Sequence, residues 1–206
     1  MKSILLSIFL VLTAISAYGQ TAAQPAPACT LKVSQAPSVR GVKLGMKLDD
    51  LLRLFPGADQ EDQIKNTLNT RTSYPQLGVA NFAIIPGNYP NKTQYAGISI
   101  FRVVTIDDRI TQYTVEYAYP PEAPPWHRID DWITKFAEAY QLPAVSNWTG
   151  DQNRSQRTLK CDGFEINASN LNQIGNVSIL SGDPPWKEQQ KRREAFDEKL
   201  RRDFKP

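Results

Sequence analysis

The segment 95–119 most strongly restricts the fold, because it has the composition of two neighbouring β-strands. It is rich in β-branched and aromatic residues, and Asp107-Asp108 in its middle has the residue type that tight turns favour. After the turn, Tyr113, Val115, Tyr117 and Tyr119 share one face, since side chains alternate along a strand. The sequence therefore predicts an antiparallel hairpin with one buried face.

Two further stretches have helical spacing. Apolar residues recur three and four positions apart in 48–55 and again in 126–140, which predicts two amphipathic helices. Pro56-Gly57 ends the first helix and Leu142-Pro143 ends the second. The polar stretch between the first helix and residue 78 carries no such pattern.

The remaining β-rich stretches extend this order into a repeat. Short strand patterns occur at 78–85, 157–161, 164–168 and 176–180, and the last three imply a second sheet segment. The string Pro-Pro-Trp follows a strand and precedes a helix twice, at 124–126 and at 184–186. The sequence thus predicts an α+β fold: an antiparallel sheet with packed helices, in two tandem helix-then-strands units followed by a carboxy-terminal helix.

The amino terminus has the layout of a secretory signal. Lys2 precedes the apolar run 4–12, and small residues follow up to Gly19. We expect cleavage there and a periplasmic or secreted protein with no transmembrane segment in the mature chain. A membrane anchor and a lipid on Cys29 are the alternatives, but the apolar run is too short for a span and a polar stretch separates it from Cys29.

The expected organisation follows from these boundaries. It consists of a signal peptide at 1–19, a flexible leader and extended arm at 20–38, an α+β domain at 39–183 with halves at about 39–123 and 124–183, and a charged helix at 184–206. In that helix, Phe196, Leu200 and Phe204 form a narrow apolar stripe among charges of both signs. The first interpretation is a solvent-exposed helix that packs on the rest of the protein through this narrow stripe. The alternative is a helix that binds a partner or a membrane surface.

The chain has two cysteines, Cys29 and Cys161. In an oxidising compartment an even pair usually forms a disulfide, so we predict a Cys29–Cys161 bond that fixes the amino-terminal arm to the second half. Two separate buried thiols are the alternative.

Charge and residue types argue against several functions. The net charge of +3 at pH 7 is small, so nucleic acid is not an expected partner. His127 is the single histidine, and neither a Gly-x-Ser-x-Gly motif nor a phosphate-binding glycine loop is present, so no metal, cofactor or catalytic residue is expected. The Asp pairs at 49–50, 107–108 and 130–131 lie where helix starts and turns favour Asp.

Aromatic residues supply the candidate binding site. Tyr113, Tyr117 and Trp126 lie close in sequence around one strand-to-helix junction, where they could stack against a sugar or a peptide. Aromatic residues on a sheet face opposite a helix are more often part of the core, and that interpretation competes with the first.

The stretch Gly41-Val42-Lys43-Leu44-Gly45-Met46-Lys47-Leu48-Asp49-Asp50-Leu51-Leu52 resembles the start of a helix in a family of small bacterial envelope proteins. That family includes the β-lactamase inhibitor protein and the small lipoprotein of the outer-membrane barrel assembly machinery. Lys47 stands where the family has Thr or Ser. The resemblance implies helices followed by an antiparallel sheet, and action by binding other proteins.

The second half of the chain resembles a class of exported bacterial proteins through Leu142-Pro143, Trp148 and the run 159–164, and no activity follows from that resemblance. From these patterns we expect an exported, non-enzymatic protein-binding or accessory domain of the cell envelope, whose partner is another envelope protein. The alternative is an enzyme acting on carbohydrate or peptide, with carboxylates such as Asp162 or Glu165 near the aromatic cluster.

Overall fold

A computed structural model describes residues 28–73, 78–118, 128–150, 155–171, 174–182 and 184–205. The helices are α1 (Leu48–Leu54), α2 (Asp62–Ser73), α3 (Ile129–Tyr140) and α4 (Pro185–Asp203). The strands are β1 (Val79–Ile84), β2 (Ile98–Ile106), β3 (Arg109–Tyr117), β4 (Gln156–Cys161), β5 (Phe164–Leu171) and β6 (Ile174–Ser181). The predicted α+β class is confirmed.

All six strands form one antiparallel sheet in the order β1-β2-β3-β6-β5-β4. Each half of the chain contributes helices followed by a three-stranded meander, as the repeat predicts. The two sheet segments are continuous, because β3 pairs with β6 along Gln112–Tyr117 and Gly175–Leu180. This central seam joins the two tandem units.

The β2–β3 hairpin turns at the predicted residues. Asp107 and Asp108 have φ of 48° and 62°, the left-handed backbone that a two-residue hairpin turn with the sheet's own twist requires. Aspartate tolerates this conformation better than most residues. The predicted hairpin is confirmed.

One face of the sheet carries the core, and we call it the inner face. A continuous row of buried side chains crosses all six strands in register: Phe82, Val103, Tyr113, Ile179, Ile166 and Leu159. Apolar residues of α1, α2 and α3 belong to the same cluster. Ring contacts tie helices to sheet at both ends, from Phe55 to Phe101 at 5.7 Å and from Trp132 to Tyr117 at 5.8 Å.

The structure contains one helix that the sequence pattern does not predict. Helix α2 lies beside the edge strand β1, although its segment looks like a polar connection. Ile64 is fully buried and Leu68 is half-buried in the same core cluster, one turn apart. Two apolar residues are enough to anchor this helix, because it packs beside the edge strand β1 rather than over the centre of the sheet.

Cys29 and Cys161 form the predicted disulfide. It joins the amino-terminal arm to the end of edge strand β4, where the Asp162 amide donates to the Leu31 carbonyl at 3.0 Å. Farther along the arm, the Tyr113 hydroxyl donates to the Pro37 carbonyl at 2.6 Å. The arm therefore runs from the edge of the sheet to its central strands and is part of the packed structure.

Several predicted features lie outside the described residues: the signal peptide 1–19, the leader up to residue 27, Trp126 and His127. Within the described part of the chain, no helix combines the length and apolar character needed to cross a membrane.

Candidate binding surface

We call the face of the sheet opposite the core cluster the outer face; the apolar residues that α1, α2 and α3 contribute to that cluster pack on the inner face. Side chains at the centre of the outer face form a row in register across four strands: Thr114, Ser178, Asn167 and Thr158. All four are partly exposed, and none belongs to the core cluster. Side chains alternate between the two faces along a strand, so these four point outward because the residues before and after them point into the core.

Cross-strand hydrogen bonds organise the outer face. The Gln112 amide donates to the Ser178 hydroxyl at 3.1 Å across the β3–β6 seam, and the Thr158 hydroxyl donates to Asn167 at 2.7 Å. On the other half, Arg102 donates to Glu116 at 2.6 Å. These pairs hold short polar side chains in fixed positions, so the surface is preorganised.

The outer face approaches the area that a protein interface takes from one partner. Five strand spacings of about 4.8 Å and eight residues of about 3.4 Å give a projected area of roughly 650 Å². A stable protein interface takes about 800 Å² from each partner. Among the described strand side chains none on this face is aromatic, so it lacks the stacking platform that sugar rings prefer.

The structure places the predicted aromatic candidates in the core or outside the described residues. Tyr113 has no exposed surface, and burial raises the pKa of its hydroxyl. Tyr117 is half-buried against Trp132, and burial likewise raises its pKa. Trp126 falls outside the described residues. Tyr113 and Tyr117 therefore contribute to packing between sheet and helix.

The carboxylates of the enzyme hypothesis lie away from that aromatic cluster. Asp162 is in the β4–β5 turn, where it pairs with Lys32 of the arm. Glu165 is on the outer face, bonded to Asn167 at 2.8 Å. Tyr117 is on the inner face and pairs with Gly175 of β6, whereas Glu165 pairs with Leu180 of the same strand. Gly175 and Leu180 are five residues, or about 17 Å, apart along β6.

Two hollows of the described surface lie near α1. One of about 290 Å³ is lined by charged residues of the α1 start and the β2–β3 turn, among them Lys47, Asp49, Asp108 and Arg109. The other, of about 420 Å³, lies along α1 and the turn after it. No group of three or more His, Cys, Asp or Glu residues in the described ranges is arranged to hold a metal ion.

A largely buried ion pair joins strand β4 to helix α3 in the second unit. Arg157 of β4 donates two hydrogen bonds of 2.8 Å to Asp130 at the start of α3, and a third of 2.9 Å to the Gly150 carbonyl. Its side chain is 10% exposed and that of Asp130 is 19% exposed. The hydrogen bonds from Arg157 hold the pKa of the Asp130 carboxyl below its usual range, against burial, which raises it.

This pKa shift predicts a pH dependence of stability. The pKa of Asp130 in the folded protein lies below its value of about 3.9 in the unfolded chain. The contribution of Asp130 to the free energy of unfolding is therefore complete above about pH 3.9 and is lost as the pH falls through the folded pKa. Urea unfolding from neutral to acidic pH should show Asp130→Asn far less stable than wild type near neutrality and closer to it in acid. Asp131→Asn, exposed on the same turn, controls for the substitution. A pH-independent gap would contradict this assignment.

Sequence reasoning missed the outer face as a site. The signal was present, since Gln112, Thr114 and Glu116 alternate with the buried residues of β3. What could not be foreseen is that β6 lies beside β3 and places Ser178 next to Thr114.

Comparisons of the chain with models of protein families, with curated proteins and with solved structures found no match.

Proposed function

We propose that this protein is a non-enzymatic binding or accessory domain of the cell envelope, and that it binds another envelope protein through the outer face of its sheet. The observation that carries the proposal is the preorganised polar row Thr114, Ser178, Asn167 and Thr158 on a sheet face that no helix of the core covers. Export through a cleaved signal is part of the proposal, and the Cys29–Cys161 disulfide supports it, because such bonds persist in oxidising compartments. The resemblance to the β-lactamase inhibitor protein family is in accord with binding to a protein.

The charges of the outer face favour a partner with a neutral polar surface. Arg102 pairs with Glu116, and Lys160 lies 3.8 Å from Glu165, so each cation has an anion beside it. Hydroxyl and amide groups between these pairs can both donate and accept hydrogen bonds. Such a surface gains specificity by matching hydrogen bonds, because any group left unpaired at the interface weakens binding.

The test is crosslinking of tagged protein in its native envelope, with recovered partners identified by mass spectrometry. Ser178→Arg places a long cation at the centre of the outer face, and Gln63→Arg makes the same change on exposed α2. We expect wild type and Gln63→Arg to recover the same abundant protein, and Ser178→Arg to lose it while remaining fully folded at the temperature of the experiment. Equal recovery by all three would overturn the proposed surface.

The enzyme hypothesis has a separate outcome. Loss of a turnover activity in Asp162→Asn or Glu165→Gln, with unchanged melting, would replace the binding proposal with a catalytic one. Both residues are at the surface, so these substitutions are compatible with folding.

A further inference from the structure

The second half of α4 has an apolar stripe of three residues, two of which are exposed. Phe196, Leu200 and Phe204 are four residues apart, and Leu200 and Phe204 are 53% and 73% exposed. The helix is held to the sheet near its start, where Pro185 is buried and Arg192 donates two 2.8 Å hydrogen bonds to Asp107. Beyond Arg192, every described side chain except Phe196 is exposed.

The positive charge of the chain is concentrated on this helix. Residues 185–206 contain eight Lys and Arg against five Asp and Glu, whereas residues 1–184 contain equal numbers of the two signs. The net charge of +3 therefore belongs to the α4 segment as a whole, and residues 193–206, which carry the stripe, hold five Lys and Arg against four Asp and Glu. An occupant of the stripe should offer an apolar surface with acidic groups around it.

The chain itself presents such a surface. The larger hollow has an apolar lining and an acidic rim, formed by Asp49, Leu52, Pro56, Gly57 and Asp59. Arg53 also lines it, and its guanidinium is paired with Asp50. No α4 residue lines this acidic hollow.

We propose that two copies of this chain form a reciprocal dimer, in which the apolar stripe of each α4 docks in the acidic hollow of the other copy. The match is one of apolar character and charge, because a helix segment of net positive charge with an apolar stripe meets a hollow lined by apolar residues and two carboxylates. Reciprocal exchange uses both contacts at once and closes the assembly at two copies. This interface is separate from the outer face, so it goes beyond the proposed function and does not depend on it.

The first test is the molar mass of the purified protein by sedimentation equilibrium from low to high micromolar concentration. We expect wild type to pass from monomer to dimer, and Leu200→Ser with Phe204→Ser to stay monomeric. Gln190→Ser with Glu194→Ser makes the same changes on another face of α4 and should dimerise like wild type. Added salt should weaken the dimer because its contacts are partly ionic. A monomeric wild type, or a dimer that survives loss of the stripe, would overturn the proposal.

The second test asks whether the stripe meets the hollow. Pro56→Arg with Asp59→Arg replaces two exposed lining positions with cations that repel α4, and should weaken the dimer about tenfold or more. This hollow variant should form a mixed dimer with the stripe variant, Leu200→Ser with Phe204→Ser. In that dimer the intact stripe of the hollow variant docks in the intact hollow of the stripe variant. Absence of the mixed dimer would indicate pairing between the two helices and would overturn the docking site. Ser178→Arg should dimerise normally, which separates this result from the outer-face test.

Discussion

Replacing Arg157 with methionine should lower the free energy of unfolding by about 3 to 5 kcal/mol. The guanidinium is nearly buried and donates hydrogen bonds to Asp130 and to the Gly150 carbonyl inside the second unit. Methionine fills much of the same volume but leaves the Asp130 carboxylate and the Gly150 carbonyl without their donor. Most of the loss comes from these stranded acceptors rather than from the ion pair itself. Urea unfolding at neutral pH measures the effect.

The outer face supplies a matched control. Arg102→Met removes the same side chain from a pair whose arginine is 55% exposed, and should cost less than about 1 kcal/mol. The double change Asp130→Leu with Arg157→Met should regain part of the loss, because no buried charge is then left alone. If the two arginine variants were equally stable, burial of the Arg157–Asp130 pair would not be the cause.

The second large effect is expected at the disulfide. Changing both Cys29 and Cys161 to alanine should lower the free energy of unfolding by about 5 kcal/mol in the chain-entropy model, because the bond closes a loop between residues 132 apart. The arm would also lose its tie to edge strand β4. Denaturant unfolding without reductant compares the two proteins.

Reductant provides the control for this experiment. It should destabilise wild type to about the level of the double variant and leave the double variant unchanged. Equal stability of the oxidised protein and the variant would mean that the unfolded chain gains little freedom when the bond is absent. Free-thiol titration of unfolded, non-reduced protein should find no thiol in wild type.

The sequence predicts the elements whose determinants are local. The alternation around Tyr113 and the stripe of α3 each extend over many residues, so the hairpin and the helix are recognisable without knowledge of their neighbours. The disulfide was predictable because only one pairing exists for two cysteines. Helix α2 was missed because just Ile64 and Leu68 mark its buried side.

The candidate site depends on contacts that are distant in sequence. Gln112 and Ser178 are 66 residues apart, and nothing in either strand specifies the other as its neighbour. The same holds for Arg157 and Asp130, which look like an ordinary strand cation and a helix-start carboxylate until the fold brings them together. Alternation indicates which side chains point outward, but the lateral order of strands decides which surface they form.

The central seam also governs the order in which the chain can fold. Strand β3 is complete long before β6 is synthesised, and until then its backbone groups along Gln112–Tyr117 form an open edge. An unpaired edge beside apolar side chains is a template for joining another chain. We therefore expect that a fragment ending at residue 123 would aggregate rather than fold, and that the two tandem units, although repeated, are inseparable parts of one cooperative structure.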